Sequence, residues 1–131
     1  QASGITNKLP KLVAVQAEPY TPLYEAFHAN MEKVEASPHV EKISADGIAI
    51  SKPVRSTALL AALRCSKGTA VAVSDSEVRT YHERLAQRGY FVEPTSATVT
   101  VALDKIRHLI QPGETVVAVL TGHGLKQPPN I

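Results

Sequence analysis

The sequence predicts an α/β fold: one three-layer domain built on part of a doubly wound, mostly parallel sheet. Three short runs of apolar, largely branched residues read as strands: LVAVQAE at Leu12 to Glu18, TAVAVS at Thr69 to Ser74, and VVAVL at Val116 to Leu120. They are continuous rather than alternating, as in strands covered on both faces. Segments of helical spacing lie between them, and strands joined by crossover helices pair in parallel. At 131 residues the chain can form one core and is too short for two ordinary domains. A single domain over residues 1–131, or a piece of one, is expected.

Gln1 to Leu9 is polar and runs into Pro10, as a short helix tail or loop would. After the first strand, Pro19, Thr21 and Pro22 set up a helix with Thr21 as its amino-terminal cap and Pro22 in the first turn, where a missing amide costs little. Leu23, Tyr24, Ala26 and Phe27 form its apolar face. Between Lys33 and Lys52 the pattern weakens, and Pro38, Gly47 and Pro53 punctuate a stretch that reads mostly as loop, with GIAI able to form a short strand. Val54, Ala58, Ala61, Ala62 and Cys65 recur at helical spacing, and Gly68 follows as a left-handed stop. Ser74 and Glu77 stand in the S-x-x-E relation of a capping box, which starts a helix that runs to Gly89 and buries Val78, Tyr81 and Leu85. The segment from Thr95 to Ile110 is rich in β-branched residues. Its spacing is nonetheless helical, since Val99, Ala102, Leu103, Ile106, Leu109 and Ile110 share one face and Pro94 suits a helix start. Pro112 and Gly113 turn the chain into the last strand.

Composition narrows the function classes. The formal charge of +2 comes from 14 basic and 12 acidic residues spread along the chain, with no basic cluster to follow a phosphate backbone, so a nucleic-acid role is unsupported. No run approaches the roughly 18 to 20 apolar residues of a membrane span. The amino end, QASGITNKLPK, lacks the charged and apolar regions of a signal peptide, and a soluble, cytosolic protein is expected. The first residue is Gln rather than Met, which fits a processed or truncated product. Cys65 is the single cysteine and reads as a helix packing position. His28, His39, His82, His108 and His123 are scattered, none three or four residues from another, so no metal site is expected. There is no G-x-G-x-x-G or Walker loop, and Ser74 and Ser96 read as capping or helix-start hydroxyls rather than nucleophiles.

The candidate site lies where the third apolar run ends. Thr121, Gly122, His123 and Gly124 bring a hydroxyl, two glycines that permit close backbone approach or a turn, and a titratable ring. In open α/β sheets, ligands sit beyond the carboxyl ends of the strands, which makes Thr121 a site candidate. Glu93, in FVEPTSA, stands at a helix start, either as a first-turn carboxylate favoured by the helix dipole or as a ligand-facing group. Asp46 and Gly47, in ADGIAI, read as a turn.

At these motifs the sequence resembles the carboxyl-terminal part of threonine synthases, members of the second fold type of pyridoxal-phosphate enzymes. The similarity runs from about Gly4 to Lys126. KLVAVQAE resembles the strand after that family's phosphate-binding glycine loop, and ADGIAISKPVR and AVAVSDSEV resemble the segments that follow. FVEPTSA is similar to the family's EPASA helix start, and LTGHGLK to its most specific signature.

The resemblance implies a fold like part of the large domain of these enzymes, with pyridoxal phosphate as cofactor. Thr121 then corresponds to the residue whose hydroxyl hydrogen-bonds the pyridine nitrogen. A hydroxyl does not stabilise a protonated pyridinium as a carboxylate would, so it tempers the ring's pull on electrons. Gly47 corresponds to the position whose backbone packs on the ring face, Glu93 to a carboxylate near the pocket, and His123 to a residue that holds the turn. The implied reaction of the whole enzyme converts O-phosphohomoserine and water to threonine and phosphate.

Two of the family's motifs do not occur in the sequence: the Schiff-base lysine and the glycine and asparagine-rich phosphate loop. Lys52 and Lys126 lie in the wrong motifs to replace that lysine and read as solvated surface groups. The chain is therefore expected to be an inactive fragment that contributes cofactor contacts and no catalytic residue of its own. Rival readings are a fragment of a threonine or serine dehydratase, whose relatives carry EGAGA and SGGN-like motifs where this chain has EPTSA and TGHG, or of a cysteate synthase. A stand-alone binding or assembly module is the reading of a different class. An unpaired sheet edge would favour a homo-oligomer.

Overall fold

The computed structural model describes Gly4, residues 7–38 and residues 41–126. The expectations for Gln1 to Ser3, Ile5, Thr6 and His39 lie outside the described residues. Two strands, β1 (Val13–Ala17) and β2 (Thr69–Val73), pair in parallel, with Val13 opposite Thr69 and Ala17 opposite Val73. The crossover between them carries helices α1 (Pro22–His28) and α2 (Ser56–Cys65). After β2 come α3 (Asp75–Gln87) and α4 (Pro94–Ile106).

Successive strand residues face opposite sides, and this divides the core in two. On one side Val71 and Val73 of β2 pack with Val78 of α3 and with Ala97, Val101 and Ala102 of α4. On the other, Ala70 packs with Leu23 and Ala26 of α1 and Leu60 and Leu63 of α2. The sheet is thus covered on both faces, the three-layer arrangement predicted from the continuous apolar runs.

Local chemistry sets the helix ends. The capping box forms as predicted: the Ser74 hydroxyl accepts the Glu77 amide at 3.3 Å and Glu77 Oε2 accepts the Ser74 amide at 2.8 Å. Thr21 precedes α1 but makes no capping bond; the Tyr24 amide is instead taken at 2.9 Å by Oε1 of Gln16, a buried strand side chain. At the end of α2 the left-handed residue is Lys67, with φ 54°, rather than Gly68. Amides of Lys67 and Gly68 donate to the carbonyls of Arg64 and Leu63, the Schellman pattern. Gly68 is required for space, since a Cβ there would lie 1.9 Å from the Leu12 carbonyl oxygen.

Other expectations change in the structure. Val116 to Leu120 is not a strand: no bridge joins it to β1 or β2, and Val117 is 82% and Val119 62% exposed. A strand is defined by a neighbour that accepts its ladder, and the described residues offer this run none. GIAI forms no strand either; Asp46–Ile48 is one turn of 3-10 helix, in keeping with the turn reading of Asp46 and Gly47. In α2 the leucines Leu60 and Leu63 take the buried face, leaving Cys65 exposed, and Val54 lies before the helix and is fully exposed. In α4 the buried face is Ala97, Val101 and Ala102, so the expected stripe is rotated and Leu109 is exposed.

Glu77 ties three elements together. Its Oε2 also accepts from Lys105 Nζ at 2.8 Å, and the same ammonium donates to the Ala72 carbonyl at 2.9 Å. Burial opposes the charged carboxylate, but the bonds from Lys105 and from the Ser74 amide and hydroxyl outweigh it and hold the Glu77 carboxyl below its ordinary value. A depressed folded-state pKa adds stability above the unfolded pKa, and this is lost as pH falls through the folded value. Urea unfolding of Glu77→Gln is accordingly expected to show a stability deficit at neutral pH that closes as the parent carboxylate is protonated in acid. Ser74→Ala is expected to cost about 1 kcal/mol at neutral pH.

Candidate functional site

Thr121, Gly47 and Glu93 line one cleft of about 390 Å³, beside Val15 of β1, Ile48 and Val119. Three distant stretches of sequence therefore converge on one cleft. Gly47 opens the cleft from the 3-10 turn that follows Ala45, Glu93 from the start of α4, and Thr121 from the end of the unpaired apolar run.

Ser96 holds this convergence together. It is 1% exposed, and its Oγ accepts the Gly122 amide at 2.9 Å while lying 3.3 Å from the Gly122 carbonyl oxygen, to which it donates. The Glu93 amide donates to the same carbonyl at 3.0 Å, and the Gly124 amide to the Phe91 carbonyl at 3.1 Å. An antiparallel bridge between Val92 and His123 completes the docking. The glycines of TGHG serve this docking. A Cβ on Gly122 would stand 2.0 Å from the Glu93 carboxyl, and one on Gly124 2.6 Å from the Phe91 ring.

His123 holds the turn, as expected: its ring meets Phe91 edge-on at 5.2 Å and its Nδ1 accepts the Leu125 amide at 3.2 Å. Glu93 occupies the amino-terminal cap position of α4, yet its side chain makes no capping bond. Its carboxylate turns toward the cleft, with Oε1 3.5 Å from Thr121 Oγ1 and Oε2 3.5 Å from Lys126 Nζ. The Thr121 hydroxyl has only long contacts, at 3.5 Å to Glu93 and 3.4 Å to Ser96 Oγ, whereas a good O–H···O bond spans about 2.5–3.0 Å. It is a polar group with capacity left for a ligand.

Gly47 has a local reason to be glycine. A Cβ there would lie 2.9 Å from Thr95 Oγ1 and 3.3 Å from its Cγ2. The sequence marks Ser96 only as a helix-start hydroxyl and misses its part in the site. Small hydroxyls at helix starts are common, and nothing local marks one that faces a glycine-rich segment 26 residues away. Of the histidines, His28 Nε2 lies 2.9 Å from the Ala70 carbonyl and His82 Nε2 2.7 Å from that of Val92, both structural bonds. No metal-binding group of three occurs among the described residues. None of their helices is long and apolar enough to cross a membrane.

Fold and cleft together describe part of a layered α/β domain, with a cleft beside Val13 and Val15 of the first strand. The chain belongs to the pyridoxal-phosphate dependent enzyme family, whose profile matches residues 2–122. It is similar to the threonine synthases of Methanocaldococcus jannaschii and Methanosarcina acetivorans, each 37% identical over 98% of this chain. The threonine synthase of Mycobacterium tuberculosis strain H37Rv is 36% identical over 95% of it. The chain spans about a third of the length of these relatives, 32%, 32% and 33% respectively. Among solved structures, a threonine deaminase from T.th. superposes with a TM-score of 0.61 over 76% of this chain and 35% of its own, at 18% identity, which supports the fold.

The family's cofactor is pyridoxal phosphate, and the cleft suits part of it. Its volume of about 390 Å³ lies within the range of roughly 300–1,000 Å³ for small-molecule sites. It offers apolar walls at Val15, Ile48 and Val119 and hydroxyls at Thr95, Thr98 and Thr121, of which Thr121 has only long contacts.

Replacing Ser96 by Ala is expected to destabilise the protein by about 1–3 kcal/mol, because the Gly122 amide loses its buried acceptor. Hydrogen exchange at Gly122 should rise with it; unchanged protection there would remove Ser96 from the docking.

Proposed function

We propose that this chain is the carboxyl-terminal, cofactor-contacting part of a threonine synthase. The whole enzyme would be cytoplasmic and would convert O-phosphohomoserine and water to threonine and phosphate. The observation that carries the reading is the meeting of Thr121, Gly47 and Glu93 in one cleft, in a chain that matches threonine synthases at 37% identity over 98% of its length. The EPTSA and TGHG segments that build the cleft are also the ones that distinguish this sequence from dehydratase-like EGAGA and SGGN motifs. The deaminase neighbour bears on fold alone.

Pyridoxal phosphate supplies such a site with an electron sink for carbanions formed next to the substrate's amino group. In this reading the Thr121 hydroxyl binds the ring nitrogen and sets the ring's orientation. Gly47, without a side chain, leaves its backbone open to the ring face. Val15 and Ile48 give the cleft an apolar wall, and Ser96 keeps Thr121 in place through Gly122.

The proton-moving lysine is supplied from outside this chain. Lys126 is paired with Glu93 at 3.5 Å, and Lys52 is exposed and does not line the cleft. The chain by itself is inactive in this account.

Two measurements test the reading. In the full-length protein, Thr121→Ala is expected to lower kcat/KM by about tenfold or more, equivalent to at least ~1.4 kcal/mol, while Thr121→Ser keeps most of it. Equal kinetics in parent and Thr121→Ala would take Thr121 out of the site. The 131-residue chain, supplied with pyridoxal phosphate and O-phosphohomoserine, should release no phosphate. Turnover abolished by substituting one of its own lysines would overturn the inactive-fragment account.

A further inference from the structure

We infer that the groove between α3 and α4 is a second ligand site, suited to a small molecule that carries a phosphate group on an apolar body. The groove shares no lining residue with the cleft of Thr121, Gly47 and Glu93, and the inference does not depend on the cofactor reading.

The groove has a volume of about 830 Å³, within the range of roughly 300–1,000 Å³ for small-molecule sites. Leu85 of α3, Leu103 of α4 and Ile110 give it an apolar floor, and all three are half-buried. Arg84 and Arg88 line it from the end of α3, and Arg107 from the 3-10 turn that follows α4.

These guanidiniums lack counter-charges. None of the three forms a salt bridge among the described residues, although other cations of the same helices do: Arg79 pairs with Asp75, and Lys105 with Glu77 at 2.8 Å. Asp104 is the one carboxylate that lines the groove, and it accepts the Tyr81 hydroxyl at 2.6 Å. Basic residues are favoured at helix carboxyl ends, which accounts for arginines at the ends of α3 and α4. Each such end carries only about half a negative charge, however, so the two ends and Asp104 leave a positive surplus over the floor.

Part of the groove is already ordered. The Arg84 guanidinium lies 4.8 Å from the centre of the Tyr81 ring, and the bond to Asp104 ties that ring across to α4. A guanidinium held on an aromatic face loses less freedom when it binds, and its paired N–H groups match two oxygens of a phosphate. The two surfaces together select the ligand class. Free phosphate would leave the apolar floor in water, and a purely apolar molecule would bury guanidiniums without a counter-charge. A phosphate ester with an apolar body satisfies both.

The test uses phenyl phosphate as the probe and the full-length protein freed of excess pyridoxal phosphate. Calorimetry at low ionic strength reads affinity, and hydrogen exchange maps the site. Binding should slow exchange around Arg84 to Arg88 and Leu103 to Gln111. Replacing Arg88 and Arg107 together by Gln is expected to weaken binding by about tenfold or more, since charge-assisted bonds to the phosphate are lost. Inorganic phosphate should bind about tenfold more weakly than phenyl phosphate, because it leaves the floor uncovered. Protection confined to other segments, an affinity unmoved by the arginine substitutions, or equal affinity for the two probes overturns the inference. Should the substituted protein fail to fold, the exchange map and the comparison of probes in the parent decide it.

Discussion

The clamp of Ser96 and Glu93 on Gly122 is the interaction on which the site depends. Thr121 ends an apolar run with no sheet partner among the described residues, so nothing in a strand ladder positions it. Its location follows from three bonds one residue further on, at 2.9, 3.0 and 3.3 Å. Two of them use a serine hydroxyl that is 1% exposed, where a lost partner is costly. The glycine is what makes the approach possible, because any Cβ at position 122 would occupy the place of the Glu93 carboxyl. Packing and the candidate chemistry are therefore the same set of contacts.

The other constraint is the width of the sheet. Two parallel strands between two helical layers bury Val71, Val73 and Ala70 well, since those residues sit over α3 and α4 or over α1 and α2. Val117 and Val119, drawn from an equally apolar run, stay exposed because burial of a strand takes a neighbour on its edge as well as layers on its faces. The unpaired run is at least as apolar as the paired one. Context makes the difference.

How much can be read from the sequence follows from that distinction. Features encoded within a few residues are legible: the Ser74 and Glu77 capping box, the helix from Pro94 despite its β-branched content, and the two strands that pair. Features that depend on a distant partner are not. Gly68 reads as a left-handed stop, but the left-handed residue is Lys67 and the glycine makes room for Leu12. Thr21 reads as a cap, but Gln16 of the neighbouring strand supplies the acceptor. The three site residues are placed by resemblance to a family, which carries long-range information that periodicity lacks. Ser96 lies outside the motif reading because its importance exists only once Gly122 is folded against it.

The glycines of the site also show why close approach and ligand contact need separate arguments. Gly47 lines the cleft, and the family resemblance reads it as room for a ring face. In the structure a Cβ at Gly47 would first meet the Thr95 side chain, at 2.9 Å, so a larger residue there would disturb the start of α4 with or without a ligand. That disturbance would reach Glu93 and Ser96, which flank Thr95 within two positions. Weakened ligand binding on substituting Gly47 would consequently have two competing causes. Thr121 is free of this ambiguity: its hydroxyl makes only contacts of 3.4 and 3.5 Å within the protein, and so its removal bears chiefly on whatever enters the cleft.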